Sequence, residues 1–198
     1  MSQSNSGSDM KFIGIVVVVA LVVIVSLVLF SRGDSSATPT TGTDTIKIGD
    51  TAPAFKLSST TDSKISLADY DGKAVLLYFN EGVGCQSCWQ QIISLEGDSA
   101  LTSLDIPMVV IAPNSISDWY SILRSSSIKS PILADEDNSV SKSYGMLSMK
   151  SSMHAGVSPG HTFVLLDNDH KVLWFGDYPG MNMTASEIIG VIKDRLGK

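Results

Sequence analysis

The stretch YFNEGVGCQSCWQQI, Tyr78 to Ile92, carries both cysteines of the chain just beyond an apolar run. That run, AVLLYF (Ala74 to Phe79), is apolar enough for a strand buried on both faces. A glycine-containing loop follows, and from about Cys85 the sequence suits a helix, spanning Gln86 to Glu96. Strand, loop and helix in this order put Cys85 at a helix N-terminus and Cys88 one turn inside. Unpaired N–H groups and the positive end of the helix dipole favour an anion there, so the Cys85 thiolate is stabilised relative to its thiol. A thiol of pKa about 8.5 is only a few per cent ionised at neutral pH, whereas one of about 7 is half ionised, a gain of more than tenfold in nucleophile. Cys88 is then placed to attack a mixed disulfide formed on Cys85.

Two plainer uses of the pair compete with redox chemistry. A purely structural disulfide between residues so near in sequence closes a very small loop, worth only about 2 kcal/mol against more than about 4 for a long one. A structural zinc site needs four ligands, and the chain has two cysteines. Redox exchange is therefore preferred, with metal binding and a structural pair as the alternatives.

Outward from this centre, MVVIA (Met108 to Ala112), TFVLLD (Thr162 to Asp167) and KVLWFG (Lys171 to Gly176) read as further strands. Ser117 to Ser125 and Ser139 to Tyr144 read as helices. Ala185 to Leu196 places Ile188, Ile189, Ile192 and Leu196 on one face, as a C-terminal helix docked on a sheet requires. DNDH, Asp167 to His170, supplies turn residues for a hairpin. The order β, α, β, α, β, β, α predicts an α/β sandwich.

Towards the N-terminus, FIGIVVVVALVVIVSLVLF (Phe12 to Phe30) is an apolar run whose only polar side chain is Ser26. As a helix it covers roughly 28 Å, close to the roughly 30 Å hydrocarbon core of a bilayer. It exceeds the apolar region of a cleavable signal, about 7 to 15 residues, so a transmembrane anchor is expected. Lys11 and Arg32 flank it almost symmetrically and leave its orientation open. Ser31 to Thr45, rich in Ser, Thr, Gly and Pro, reads as a flexible linker of roughly 20 Å end to end. The expected plan is a short tail (1–11), an anchor (12–30), a linker (31–45) and one globular domain (46–198). The net charge of −6 argues against a nucleic-acid partner, because such binding rests on Lys and Arg.

IGDTAPAFKLSS (Ile48 to Ser59), SLADYDGKAVLLYF (Ser66 to Phe79), the CQSC helix start (Cys85 to Cys88) and TFVLLD together resemble the thioredoxin-like redoxins. That superfamily joins the alkyl hydroperoxide reductase/thiol-specific antioxidant (AhpC/TSA) proteins to membrane-tethered thioredoxins. The resemblance covers nearly all of Ile46 to Leu196 and implies a thioredoxin-like fold, a central mixed sheet flanked by helices. In the membrane-tethered branch it also implies a domain facing away from the cytoplasm, where disulfide exchange is the usual cysteine chemistry. Thioredoxins carry Trp before the first cysteine and Gly-Pro between the two; here Gly84 precedes and Gln86-Ser87 intervenes. Peroxiredoxins place Pro and Thr or Ser ahead of the peroxidatic cysteine, where this chain has Asn80 to Gly84. The thioredoxin cis-proline position aligns with His161, or with Pro159 in a register two residues away.

On this reading Cys85, Cys88 and His161 are the catalytic candidates. His161 faces the dithiol and favours the thiolate as imidazolium or acts as a base when neutral. Glu81 is a candidate proton acceptor for Cys88. Met146, Met149, Met153, His154, Met181 and Met183 raise a Cu(I) alternative, since soft ligands suit that ion and the copper-assembly Sco proteins share the fold, although methionines more often fill gaps. Asn182 to Thr184 matches a glycosylation sequon, a pattern common by chance. The expected function is a single-pass, membrane-anchored thiol-disulfide oxidoreductase with an extracytoplasmic domain. No organic cofactor is implied. Its partners are a protein thiol or disulfide and a thiol electron donor. A thiol peroxidase and a Cu(I)-binding assembly module are the alternatives.

Overall fold

The computed structural model describes residues 45–180 and 182–197. The apolar run at 12–30 and the linker up to position 44 lie outside the described residues. Among the described residues no helix is long and apolar enough to cross a membrane.

Seven strands form one mixed sheet: β1 (Lys56–Ser59), β2 (Ile65–Ser66), β3 (Val75–Phe79), β4 (Met108–Ala112), β5 (Ile132–Ala134), β6 (Thr162–Leu166) and β7 (Val172–Asp177), in spatial order β2-β1-β5-β4-β3-β6-β7. The helices are α1 (Gln86–Glu96), α2 (Ser99–Thr102), α3 (Ile116–Ser125), α4 (Ser139–Ser143) and α5 (Ala185–Leu196). Strands β3, β4 and β5 run parallel, which requires the α1–α2 and α3 crossovers, while β6 and β7 are antiparallel neighbours.

The central strands are largely apolar because both sheet faces are covered. Leu77, Phe79, Ile111, Val164 and Leu166 enter one core with Tyr144 and Met146. Leu76, Tyr78, Val110, Phe163 and Leu165 enter the other with Trp119, Ile92 and Ile188. This alternation is the period of two expected of a strand, here with apolar residues on both faces.

The structure adds β1, β2, β5 and α2 to the elements expected from sequence. KLSS and IS are short and largely polar, and ILA is too short to establish a period; each is a strand because a neighbour supplies its ladder. The C-terminal helix docks through Ile188, Ile192 and Leu196 as expected, and its stripe departs from expectation only at Ile189. Ile188 and Ile192 are buried with Ala185, Val191 and Leu196 beside them, while Ile189 lies at the edge of that stripe. The helix opens on a capping box, in which Thr184 Oγ1 accepts from Glu187 N and the Glu187 carboxylate accepts from Thr184 N. The hairpin at Asp167–His170 forms as read, with Asp167 Oδ1 accepting from Asp169 N and Lys171 N and with His170 at φ 58°.

Asp135, fully buried at the end of β5, accepts from Val140 N at 3.0 Å and Ser141 N at 2.7 Å and so starts α4. Loss of solvation raises its pKa, and the hydrogen bonds from Ser141 and Val140 only partly pull it back. The folded-state value therefore lies above the unfolded one, so the folded chain takes up this proton first. Stability from this group is predicted to fall as pH rises from about 4 towards the raised value. Urea titrations across that range are expected to show the slope in the wild type and its loss in Asp135→Asn. Asp135→Ala, which strips both amides of their acceptor, is expected to cost about 1–3 kcal/mol at neutral pH.

Candidate redox site

The site grows from one sheet register. Phe79, the last residue of β3, pairs with Thr162, the first of β6. The chain leaving β3 therefore meets the chain entering β6 at the same end of the sheet. Leaving β3, Asn80 to Gly84 form a loop that returns into α1 with Cys85 as its N-cap. Entering β6, Pro159 and Gly160 deliver His161. The His161 carbonyl accepts from Tyr178 N, the residue just past β7, at 2.9 Å.

The loop ahead of Cys85 is held by side-chain amides. Asn80, fully buried, accepts from Gly82 N at 2.8 Å, and its own N–H reaches back to Ile111 O. Asn114 Oδ1 accepts from Val83 N at 2.9 Å. Gly82 has φ +86°, and a Cβ there would run into the Asn114 side chain, so glycine is required on both counts. Gly160 meets a similar limit, since a Cβ would collide with Ser151 and the Ser152 amide.

Cys85 and Cys88 are joined as a disulfide, with Cα atoms 5.3 Å apart. Cys85 Sγ also accepts from Cys88 N at 3.3 Å, as an N-cap side chain does. The two sulfurs differ in access: Cys85 is 8% exposed and Cys88 is sealed at 0%. His161 Nε2 lies 2.9 Å from Cys88 Sγ and 3.4 Å from Cys85 Sγ, and the residue is only 1% exposed. Beneath the pair, the Tyr78 ring stacks on Phe163 at 4.3 Å, and burial pushes the Tyr78 phenol well above its ordinary pKa. The structure thus brings Cys85, Cys88 and His161 together, in the register that aligns His161 rather than Pro159 with the dithiol.

Glu81 has a different partner from the one expected. Its side chain is only 5% exposed and accepts from Met153 N at 2.6 Å, with His154 Nδ1 3.8 Å away. It clips the segment before β6 onto the dithiol loop. The methionines are dispersed: Met146 and Met183 sit in the cores on opposite faces of the sheet, and Met153 is 64% exposed. Met181 lies outside the described residues. Gln91 went unrecognised in the sequence. It is buried in α1 and exchanges two hydrogen bonds with the Met183 backbone, at 2.8 Å and 2.6 Å. Its signal was a polar residue on the apolar stripe of Cys88, Ile92 and Leu95.

Solved structures of peroxiredoxins share this architecture, which is the thioredoxin-like fold. AhpC of Mycobacterium tuberculosis superposes with TM-score 0.65 at 15% identity, covering 78% of this chain and 95% of that one. The reduced 2-Cys peroxiredoxin of Plasmodium vivax gives TM-score 0.62 at 23% identity, covering 75% and 81%. The protein is a thiol oxidoreductase of thioredoxin-like fold with a Cys85–Cys88 pair. The family model described as AhpC/TSA family matches residues 48–175, and the chain belongs to that family. Among curated relatives, the peroxiredoxin Bcp of Escherichia coli K12 is 26% identical over 129 residues, which is 64% of this chain and 83% of that protein.

The Glu81 clip is testable apart from any chemistry. A hydrogen bond to a charged acceptor contributes about 1.5–3 kcal/mol, so Glu81→Ala is predicted to speed hydrogen exchange at the Met153 amide at least about tenfold. Amides of β3 are expected to keep their protection in the same experiment.

Proposed function

We infer that this protein is a membrane-anchored thiol-disulfide oxidoreductase in which Cys85 is the exchanging sulfur and Cys88 the resolving one. The observation that carries this reading is the asymmetry of the pair: Cys85 is the helix N-cap and reaches the surface, whereas Cys88 is sealed beneath it. In the reducing direction, the Cys85 thiolate attacks a substrate disulfide, forms a mixed disulfide and releases one substrate thiolate. Cys88 then attacks Cys85 and releases the second thiolate. Two electrons pass to the substrate, and the chain is left with the Cys85–Cys88 disulfide. The Cys88 N–H directed at Cys85 Sγ favours negative charge on that sulfur. His161 acts chiefly on Cys88, because its Nε2 is nearer that sulfur. A neutral imidazole accepts the Cys88 proton as that thiol becomes a nucleophile. The substrate is a protein thiol or disulfide, and a thiol donor restores the dithiol. The length of the apolar run at 12–30 supports the anchor, and likeness to membrane-tethered redoxins supports an extracytoplasmic domain at the end of the 31–45 linker.

A peroxidase reading draws on the peroxiredoxin names of the curated relatives. It lacks the Pro and Thr or Ser that orient peroxide, since the loop before Cys85 is built on Asn80 and Gly82. Single-cysteine variants test the assignment. Cys85 in Cys88→Ser is expected to alkylate at least about tenfold faster than Cys88 in Cys85→Ser. Faster labelling of Cys88 would reverse the roles. Reduction of hydrogen peroxide far faster than by free thiol would favour the peroxidase instead. The anchor is checked separately: the full chain is expected to stay in membranes through carbonate extraction, with the domain cleaved by protease added outside. Release by carbonate, or protection from that protease, contradicts the anchor or its orientation respectively.

A further inference from the structure

Cys85 Sγ, Cys88 Sγ and His161 Nε2 all lie within 4.8 Å of one another, and all three residues are buried. The imidazole reaches the sulfurs through Nε2, the ring nitrogen that a metal takes when the proton is on Nδ1. We propose that in its dithiol form this protein binds one Cu(I) ion between Cys85, Cys88 and His161, so that disulfide and metal are mutually exclusive states of the same two sulfurs. The proposal needs only that the disulfide be reducible. It holds whether or not the chain exchanges disulfides with a substrate.

Three observations lead to this ion. The donor set is two thiolates and one imidazole, a soft combination that suits a thiophilic d10 ion. The donors converge from different directions, since the cysteines lie on the first turn of α1 and His161 enters from the chain before β6. Bonds of about 2.3 Å to sulfur and 2.0 Å to nitrogen, spread in a triangle, place donors about 3.5–4 Å apart. The sulfur-to-nitrogen distances of 3.4 and 2.9 Å need little expansion, and the sulfurs separate by themselves once their bond is broken. The third observation is coordination number. No fourth His, Cys, Asp or Glu joins the group among the described residues, and Cys88 and His161 are closed to solvent. Zinc prefers four ligands in a tetrahedron, so a three-donor site suits Cu(I) better.

The chemistry balances in two stages. A reductant, in the test a phosphine that becomes its oxide with oxygen taken from water, delivers two electrons and two protons to the Cys85–Cys88 bond and leaves two thiols. Cu(I) then displaces both thiol protons, with no change in oxidation state. The resulting site carries one net negative charge, with His161 neutral. While copper is held, neither sulfur is available for exchange. Oxidation to the disulfide removes two of the three ligands and releases the ion.

The test uses the full chain in detergent, reduced by the phosphine without oxygen, with thiols counted before copper is added. Cu(I) is supplied as its complex with a coloured chelator. The expected result is one Cu(I) taken per reduced chain, none by the disulfide form, and affinity at least tenfold lower in His161→Ala and His161→Gln. Copper-edge X-ray absorption of the wild type is expected to show two sulfurs and one nitrogen, which keeps the proposal testable even if the His161 variants fold poorly. Copper left with the chelator by a chain proven to hold two free thiols would overturn the proposal. So would a sulfur-only spectrum, unchanged affinity in folded His161 variants, or displacement of the copper by equimolar zinc. If the thiol count shows no reduction at all, both this proposal and the exchange function fail. Failure of copper binding alone leaves exchange intact.

Discussion

The pairing of β3 with β6 is the constraint on which the rest depends. It sets Phe79 opposite Thr162, and so joins the loop carrying Cys85 to the segment carrying His161 across 76 residues of sequence. Both strands are buried on both faces, with odd-numbered residues of β3 in one core and even-numbered residues in the other. A slip of one residue would exchange the faces of Tyr78 and Phe79 and spoil two cores together. A register held so firmly, with the Glu81–Met153 hydrogen bond beside it, keeps an imidazole within contact of two sulfurs.

Around that register, buried polar groups stand in for missing backbone partners. Asn80 and Asn114 cap the loop before Cys85, Gln91 satisfies both backbone groups of Met183, and Asp135 starts a helix too short to stand on its own propensity. Each works in surroundings where an unpaired N–H would cost about 1–3 kcal/mol, so each narrows the paths the chain can take. Glu81, with its side chain largely buried, does the same by joining the segment before β6 to the dithiol loop. The positions of the sulfurs and the imidazole are thus fixed by the scaffold around them, which is what directional chemistry at a small site needs.

The pair itself is unequal for reasons local to α1. Cys85 caps the helix and receives the Cys88 amide, while Cys88 faces inward onto the apolar stripe of Ile92 and Leu95. His161 then adds a difference of its own, being 2.9 Å from the sealed sulfur and 3.4 Å from the accessible one. Access and negative charge therefore favour Cys85, and a proton acceptor favours Cys88. This division of labour matches the two successive steps of disulfide exchange.

Local chemistry was legible in the sequence. The apolar runs at Val75–Phe79, Met108–Ala112 and Thr162–Leu166 declared buried strands, the turn residues Asp167–His170 declared the hairpin, and the spacing of Cys85 and Cys88 after a glycine-containing loop declared a dithiol at a helix start. These readings succeed because burial on two faces, turn geometry and helix capping depend on residues close together in the chain. The strands Lys56–Ser59 and Ile132–Ala134 were not legible, since their hydrogen-bond partners come from segments far away. Nor was the commitment of Glu81 to Met153, or of Gln91 to Met183, for an acid in a loop and an amide in a helix suit many partners equally. His161 stands between the two cases. Its place before β6 could be aligned from sequence, but its distances to the two sulfurs depend on a strand pairing that the whole sheet decides.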